Sequence, residues 1–174
     1  VERLLEDDLR SVQRFLYLGL GGSSSGLSFY TWPLEQTFKR PAITVRAIPG
    51  TTRESDASYR RPAGGNVWSE QHAMVVTVYH EDRAQTVDYG RRVMKLLREG
   101  GGGGALSIPI FAKQLNAVVA RSLRVLRPSL TMGVEATDDE GKWSVPVNLT
   151  VSSPRLRLTG DMPVIERVTT ALNP

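Results

Sequence analysis

The chain contains no cysteine, and this absence excludes disulfide bonds, thiolate metal ligands and cysteine nucleophiles. It fits an intracellular or virion-interior setting. Long apolar runs are also missing, because none approaches the roughly 20 residues needed to cross a bilayer. The acidic, leucine-rich start lacks the charged-then-apolar order of a signal peptide. The sequence therefore predicts a soluble protein with no membrane partner.

Charge of one sign does not accumulate in the chain. The formal net charge is +4 and no run of five like charges occurs. A mild basic excess of this kind is typical of ordinary solvated surface, with a patch that faces a polyanion as the alternative. A length of 174 residues with 40% hydrophobic content fits one compact domain spanning 1–174.

Familiar catalytic and metal-binding patterns are missing too. The sequence has no Gly-x-Ser-x-Gly elbow, no paired histidine ligands and no phosphate-loop lysine. His72 and His80 bracket a predicted strand and would lie about 26 Å apart, too far to share a metal ion. Asp138, Asp139 and Glu140 lack the spacing of a calcium loop and indicate a turn. We predict no catalytic residue, metal or cofactor. The alternative is an enzyme whose catalytic residues are distant in sequence and are brought together by the fold.

What the chain does contain is a pattern typical of a β-hairpin between Leu130 and Val151. The acidic, glycine-containing connection 138–142 separates two alternating arms. The apolar positions of these arms are Leu130, Met132, Val134 and Ala136, then Trp143, Val145, Val147, Leu149 and Val151. Pro146 has no N–H to give to a ladder, so it predicts an edge strand or a strand paired on a single side there.

Two other segments have helical spacing. Residues 2–17 carry Leu5, Leu9, Val12 and Leu16 at intervals of four, three and four, and predict an amphipathic helix. Residues 82–98 predict a second helix with Asp82 as its N-cap and a stripe of Val87, Gly90, Met94 and Leu97. Strands are predicted over 27–32, 43–48 and 73–79, and from about residue 120. The segment 73–79 is apolar on both faces, which predicts a central strand.

Two stretches are predicted to be flexible loops. Residues 49–71 form a polar excursion without periodicity that contains Arg53, Arg60 and Arg61, and either a solvated loop or a docking arm fits it. Residues 99–105 include five consecutive glycines and predict a connector, since no Lys-Ser or Lys-Thr follows to bind a nucleotide. Ser152–Pro154 is predicted to end the hairpin. The segment 164–172 fits either a short helix or a tail that docks elsewhere.

Three segments together resemble tail-terminator (tail-completion) proteins of long-tailed bacteriophages. They are the strand 74–82 leading into the helix 89–97, the acidic turn with Trp143 over 138–147, and Ser153-Pro154-Arg155. The resemblance implies an α/β (α+β) fold, in which a mixed, largely antiparallel sheet carries two main helices on one face. It also implies that six copies form a ring that caps the tail tube, halts tail polymerisation and presents a surface to the head connector.

The same resemblance implies the partners and the place of this protein. They are further copies of the chain, the tail tube protein, the head connector or stopper protein, and DNA that passes nonspecifically through the ring lumen. The protein would be assembled in the host cytoplasm and lie in the virion at the head–tail interface. Another neck, connector or minor tail protein is the alternative, followed by an enzyme or a standalone nucleic-acid binder.

The implied contact residues fall into two groups. Five arginines are candidates to face the tail, the connector or DNA, namely Arg53, Arg60, Arg61, Arg121 and Arg124. The tip and edge of the hairpin are candidates for contacts between subunits, namely Asp138, Asp139, Lys142 and Pro146. Contacts with DNA would be nonspecific and sensitive to salt.

Overall fold

A computed structural model describes residues 2–31, 39–60, 65–99, 107–112, 116–138 and 141–158. The helices of this part are α1 (Glu2–Gly19) and α2 (Arg83–Glu99). The strands are β1 (Ser28–Thr31), β2 (Ala42–Ala47), β3 (Arg53–Arg60), β4 (Gly65–His80), β5 (Ser107–Ala112), β6 (Ala117–Val125), β7 (Thr131–Met132), β8 (Ala136–Thr137) and β9 (Trp143–Leu158).

All nine of these strands belong to one sheet with β4 and β9 at its centre. Its main order is β1-β2-β4-β9-β6-β5, while β3 pairs with β4, and β7 and β8 pair with β9. Only β1 and β2 run parallel among the described pairs. Strands β4 and β9 pair without interruption from Gly65 opposite Leu158 to His80 opposite Trp143. The predicted mixed, largely antiparallel sheet and the central position of 73–79 are confirmed.

Both helices pack on one face of this sheet. Alternate residues of β4 and β9 face the helices and are buried, and they meet the apolar stripe of α1 in one core. The fully buried members include Met74, Val76, Val78, Val145, Val147, Val12 and Leu16. Gly19 brings α1 close to α2, because a Cβ at Gly19 would lie 2.8 Å from Leu96 Cδ1. The predicted arrangement of two helices on one face is confirmed.

The sheet curls around α1. Gln13 donates a hydrogen bond from Nε2 to the carbonyl of Phe29 in β1, at 2.8 Å. Two residues earlier on the same helix, Ser11 Oγ accepts a hydrogen bond from the backbone N–H of Phe111 in β5, at 2.9 Å. Because β1 and β5 are the two ends of the strand order, one helix contacting both requires a strongly curved sheet.

Helix α2 begins as the sequence predicts but is rotated slightly from the predicted stripe. Asp82 Oδ1 accepts a hydrogen bond from the N–H of Ala84, which confirms the N-cap. Its buried residues are Thr86, Gly90, Val93 and Leu97, whereas the predicted Val87 and Met94 are half-buried. Gly90 and Leu97 belong to both sets, and at Gly90 the helix packs closely on β9, since a Cβ there would lie 2.8 Å from Val145 Cγ1.

The return arm of the predicted hairpin is confirmed, but its outgoing arm is broken. Of this arm, only the short strands β7 and β8 pair with β9. Its alternation predicts that Met132, Val134 and Ala136 share the core-facing side. This holds for Met132, which lies against Gly90 of α2, but it is wrong for Val134 and Ala136, which are exposed. The interruption lies opposite Pro146, whose carbonyl accepts a hydrogen bond from the N–H of Gly133 at 2.8 Å but which has no N–H to return. Strand β9 is not an edge strand, because β4 pairs with it on one side and β6, β7 and β8 pair with it on the other. At Pro146 its register partner is Thr77 of β4 alone, and Gly133 adds only a single hydrogen bond, so the alternative of single-sided pairing there is confirmed.

The prediction that residues 49–71 form a flexible loop is wrong, because most of this segment is β-strand. Residues 53–60 and 65–71 pair with each other, and β9 continues past Pro154, opposite Ser69, to Leu158 instead of ending at 152–154. We call the three-stranded extension formed by 53–60, 65–71 and 152–158 the ribbon. Strand β5 was not predicted, and β6 begins three residues before the predicted start.

Several predictions concern residues outside the described part of the chain. They are those for Trp32, Arg61, Asp139, the glycine tract 100–104 and the segment 164–172.

Replacing Gly133 with alanine is expected to lower the free energy of unfolding by about 1–3 kcal/mol. A Cβ at this position would lie 2.7 Å from Pro146 Cγ, which belongs to a rigid ring held within the sheet. Urea unfolding of the single variant and of Gly133→Ala combined with Pro146→Ala measures the coupling. A Gly133→Ala penalty of the same size with and without Pro146 would contradict the steric cause.

Candidate functional site

The face of the sheet opposite the helices is mostly polar and carries exposed arginines. Residues of β4 and β9 that alternate with the buried core positions lie on this face. We call it the helix-free face; its described members include Thr44, Arg46, Gln71, Ala73, Val75, Thr77, Arg124, Pro146, Asn148, Thr150 and Ser152. Thr44 and Val75 in its middle are buried, and the others are half-buried or exposed.

Two of the predicted arginines lie in a single row on this face. Arg53 is the register partner of Gln71, and Gln71 is the partner of Ser152. Ser152 is in turn the partner of Arg124 in β6. Residues in one row share a face, and three strand spacings place the two arginine positions about 14 Å apart. Both arginines are exposed, so the structure brings Arg53 and Arg124 onto one accessible surface.

A third arginine of this face was missed by the sequence analysis. Arg46 lies on β2 opposite Val75 and is exposed. Its signal was present, because Ile43 and Val45 alternate with it and therefore place it away from the core. In the described part of the chain, Arg46, Arg53 and Arg124 take part in no ion pair. Among the described residues, no ion pair therefore balances the positive charge of this face.

The structure does not bring the other predicted arginines into this row. Arg60 ends β3 opposite Asn66, which is five residues and about 17 Å along β4 from Gln71. Arg121 lies within β6, and the structure describes its backbone only.

The predicted subunit contacts at the hairpin tip have roles within the fold. Asp138 Oδ1 accepts a hydrogen bond from the N–H of Lys142, and Asp138 Oδ2 pairs with Arg40. This carboxylate thus shapes the turn and ties it to the residues before β2. Gly141, with a φ of 73°, completes the turn by donating its N–H to the Asp138 carbonyl. Contacts of Asp138, Lys142 and Pro146 with another subunit stay a prediction.

A buried polar cluster lies where the ribbon leaves the body of the protein. His72 Nε2 lies 3.6 Å from Asp8 Oδ2 and 3.4 Å from Glu70 Oε2. Ser153 donates a hydrogen bond to Asp8 Oδ1 at 3.1 Å, and Thr52 Oγ1 lies 3.1 Å from His72 Nδ1. Asp8 and Ser153 are completely buried. The cluster connects α1 to β4 and β9 at the base of the ribbon, and Thr52 adds the residue just before β3.

The sequence analysis placed His72 at one end of a predicted strand, with no binding role, and missed this cluster. One signal was available, since Asp8 lies three residues after Leu5 and four before Val12, within the apolar stripe of α1. A carboxylate at such a position needs buried partners, because an unpaired buried charge is costly. The partners come from strands far away in sequence, so their identity could not be read from the stripe.

The two histidines are separated as predicted, because β4 is continuous from His72 to His80. His80 Nδ1 accepts a hydrogen bond from the N–H of Asp82, and its ring stacks on Tyr89 at 6.1 Å between centroids. Within the described ranges, no group of three histidine or acidic side chains is arranged to hold a metal ion. Neither described helix is long and apolar enough to cross a membrane.

The helix-free face and the ribbon base are thus two places where the fold brings charged side chains from different strands together. No family model and no curated protein matches this chain. Its function is therefore argued from the geometry of these surfaces, together with the sequence resemblance.

The ion pair between Arg83 and Glu135, near the hairpin, makes the stability of the fold depend on pH. Arg83 donates hydrogen bonds to the carboxylate of Glu135 and lowers the pKa of Glu135 below its ordinary value of 4.5, with a backbone hydrogen bond at Glu135 acting in the same direction. The pair therefore stabilises the fold above the unfolded-state pKa, and this contribution is lost as pH falls through the lower, folded-state pKa.

Replacing Arg83 with glutamine is expected to raise the pKa of Glu135 towards 4.5. Carbon-detected NMR titration of the Glu135 carboxyl group measures this change. The matched control is Arg92→Gln on the same helix, because Arg92 pairs with Asp88 instead. An unchanged Glu135 midpoint in Arg83→Gln would contradict the assignment of Arg83 as the main cause.

Proposed function

We propose that this chain is a structural virion protein that forms a ring on the phage tail tube. In that role it terminates tail polymerisation and provides the tail side of the head–tail joint. The resemblance of segments 74–97, 138–147 and 153–155 supports the proposal. The structural observation that carries it is the ribbon, an extended three-stranded projection suited to joining neighbouring subunits.

The ribbon extends beyond the part of the sheet that the helices cover. Strands β4 and β9 have 16 residues each, which corresponds to about 50 Å. Strand β6 pairs with β9 only at Val151 and Ser152, and Asp8 on α1 reaches β9 at Ser153. The five following residues of β9 pair with β4, and β4 pairs with β3 on its other side.

This arrangement leaves two strand edges at the ribbon. Among the described strands, none pairs with the outer side of β3 or with β9 beyond Ser152 on the side of β6. Unpaired strand edges accept strands from other chains, and edges on opposite sides of a projection allow head-to-tail contacts. Head-to-tail contacts close into a ring when the rotation between subunits permits it.

The helix-free face gives the proposed ring a surface for polyanions. Arg46, Arg53 and Arg124 are exposed on it and take part in no ion pair within the described residues. Around them lie serine, threonine, asparagine and glutamine side chains that offer hydrogen bonds without acidic repulsion. Such a face suits the sliding, nonspecific contacts that DNA passing through a lumen requires.

Native mass spectrometry and negative-stain microscopy test the ring. We expect six copies in a closed ring, either for the protein alone or after addition of purified tail tubes. A protein that stays monomeric and binds no tail tube would overturn the proposal. Binding to a head connector but not to a tail tube would instead assign the chain to the neck.

A paired charge reversal tests the role of the face separately from assembly. Arg53→Glu with Arg124→Glu is expected to leave the ring intact and to weaken DNA binding, with a shallower dependence on salt. The control is Arg14→Glu, an exposed arginine on α1 and therefore on the other side of the sheet. Equal DNA binding by the wild type and the double variant would show that this face does not contact DNA.

A further inference from the structure

A groove runs along the outward flank of α2, between the helix and β7. It has a volume of about 300 Å³. We call it the α2 groove; its lining residues are Arg91, Met94, Lys95, Arg98, Glu99 and Met132. It lies on the helical side of the sheet and so is separate from the arginines of the helix-free face.

The floor of the α2 groove is apolar because of one glycine. Gly90 has no side chain, and a Cβ there would lie 3.2 Å from Met132 Sδ, so Met132 lies against the helix itself. Met132 is still 36% exposed, and Met94, which lines the groove from the helix, is half-buried. Methionine side chains are flexible and polarisable, which suits them to surfaces that pack against a partner. The groove thus offers apolar area that the fold itself leaves uncovered.

The rim of the groove carries three cations and one carboxylate, that of Glu99, so its net charge is positive. Arg91, Lys95 and Arg98 recur at intervals of four and three, so they form one stripe about 10 Å long on α2. All three are exposed, and none takes part in an ion pair among the described residues. The other two arginines of α2 differ, because Arg83 pairs with Glu135 and Arg92 with Asp88.

From these observations we propose that the α2 groove binds an acidic amphipathic helix of a partner protein. A large apolar side chain of that helix would pack between Met94 and Met132. Its carboxylates would pair with Arg91, Lys95 and Arg98, whose stripe spans about two helical turns. The complementarity follows the usual pattern of an amphipathic helix laid in a groove, with apolar anchors in the centre and charges at the rim.

The mixture of charge and apolar surface favours a helix over nucleic acid. A phosphate backbone would satisfy the three cations, but it would gain nothing from the methionines on the floor. An amphipathic helix uses both features, and burial of its apolar face supplies affinity that salt does not remove. Binding in the groove is independent of ring formation and does not rest on the proposed function.

The methionine methyl groups report binding directly. The chain has four methionines, and Met74 is completely buried in the core, so it serves as an internal reference. The probe is a synthetic helical peptide with leucine on one face and glutamate on its flanks, added to methyl-labelled full-length protein. We expect NMR shifts at Met94 and Met132 and none at Met74. The absence of shifts at Met94 and Met132 would overturn the proposal.

Two further ligands separate the helix from simple charge attraction. A short DNA duplex and a polyglutamate peptide of equal charge carry the anionic groups without an ordered apolar face. Weaker shifts with both ligands than with the amphipathic peptide support the proposal. Equal or larger shifts with the duplex would overturn it in favour of a nucleic-acid surface.

Charge reversal tests the rim. Lys95→Glu with Arg98→Glu is expected to weaken peptide binding about tenfold or more, because two attractions become repulsions. The control is Lys39→Glu with Arg127→Glu, which makes the same change of net charge at exposed positions outside the groove and the helix-free face. Retention of the unperturbed Met74 signal verifies folding of both variants. Equal losses in the two double variants would show that net charge alone matters and would overturn the proposal.

Discussion

Replacing Asp8 with alanine is expected to lower the free energy of unfolding by about 3–5 kcal/mol. The substitution removes one member of a buried polar cluster and leaves its partners buried. Asp8 is completely buried, accepts a hydrogen bond from Ser153 and lies 3.6 Å from His72 Nε2. Its removal leaves the Ser153 hydroxyl and the His72 ring without this partner in a site that excludes water. The loss exceeds that of an ordinary helix-surface carboxylate because nothing in the solvent compensates for it.

Urea unfolding monitored by circular dichroism measures this loss, and Asp88→Ala is the matched control. Asp88 is an exposed carboxylate on the other helix that pairs with Arg92 across one turn. Such a surface pair contributes under about 1 kcal/mol. Similar destabilisation by the two substitutions would show that Asp8 is not an essential part of the cluster.

The same variant should also affect the ribbon before the body unfolds. Ser153 lies on β9 and His72 on β4, at the row where the ribbon begins, so Asp8 joins α1 to both strands there. We expect faster hydrogen exchange at the backbone amides of 65–71 and 152–158 in Asp8→Ala than in Asp88→Ala. Unchanged exchange in these segments would mean that strand pairing alone holds the ribbon in place.

Replacing Leu149 with alanine is expected to lower the free energy of unfolding by about 2–5 kcal/mol, through lost burial and the cavity that remains. Leu149 is 1% exposed and lies opposite Met74, itself completely buried, in the central pair of strands. Strands β4 and β9 are held by continuous pairing, so the surrounding backbone has little freedom to collapse into the space.

Leu18→Ala is the matched control for this substitution. Leu18 lies near the end of α1 and is 64% exposed, so the same truncation removes little buried area. We expect its effect on the unfolding free energy to stay within about 0.5 kcal/mol. Thermal unfolding of both variants tests the difference, and a comparable loss in Leu18→Ala would contradict the core assignment.

Much of the fold could be predicted from local periodicity, because burial on one face leaves a clear signal in each element. The α1 stripe, the return strand from Trp143 to Val151 and the central strand carry it, and the structure has all three. The outgoing arm misled for a physical reason. The alternation within 130–136 is regular. Pairing fails because Pro146 on the partner strand has no N–H to donate, and the residues of 130–136 themselves carry no sign of this.

The ribbon and the buried cluster could not be predicted in the same way. Residues 53–60 and 65–71 are polar and lack alternation. They pair with each other, and 65–71 also pairs with β9, so their strand partners are not recorded in the local pattern. The cluster joins α1 to β4 and β9 across a separation of up to 145 residues. Sequence spacing indicated an acidic residue in an apolar stripe, but only the tertiary structure identifies His72, Glu70 and Ser153 as its surroundings.

The two hydrogen bonds that α1 makes with the ends of the sheet affect how molecules of this protein can associate. Exposed strand edges promote aggregation, and proteins commonly protect them with covering elements. Here Ser11 and Gln13 each bind one backbone group, in β5 and β1 respectively, so α1 lies against both outer strands of the body. In the proposed ring, these contacts would disfavour strand addition at the body and leave the strand edges of the ribbon for contacts between subunits.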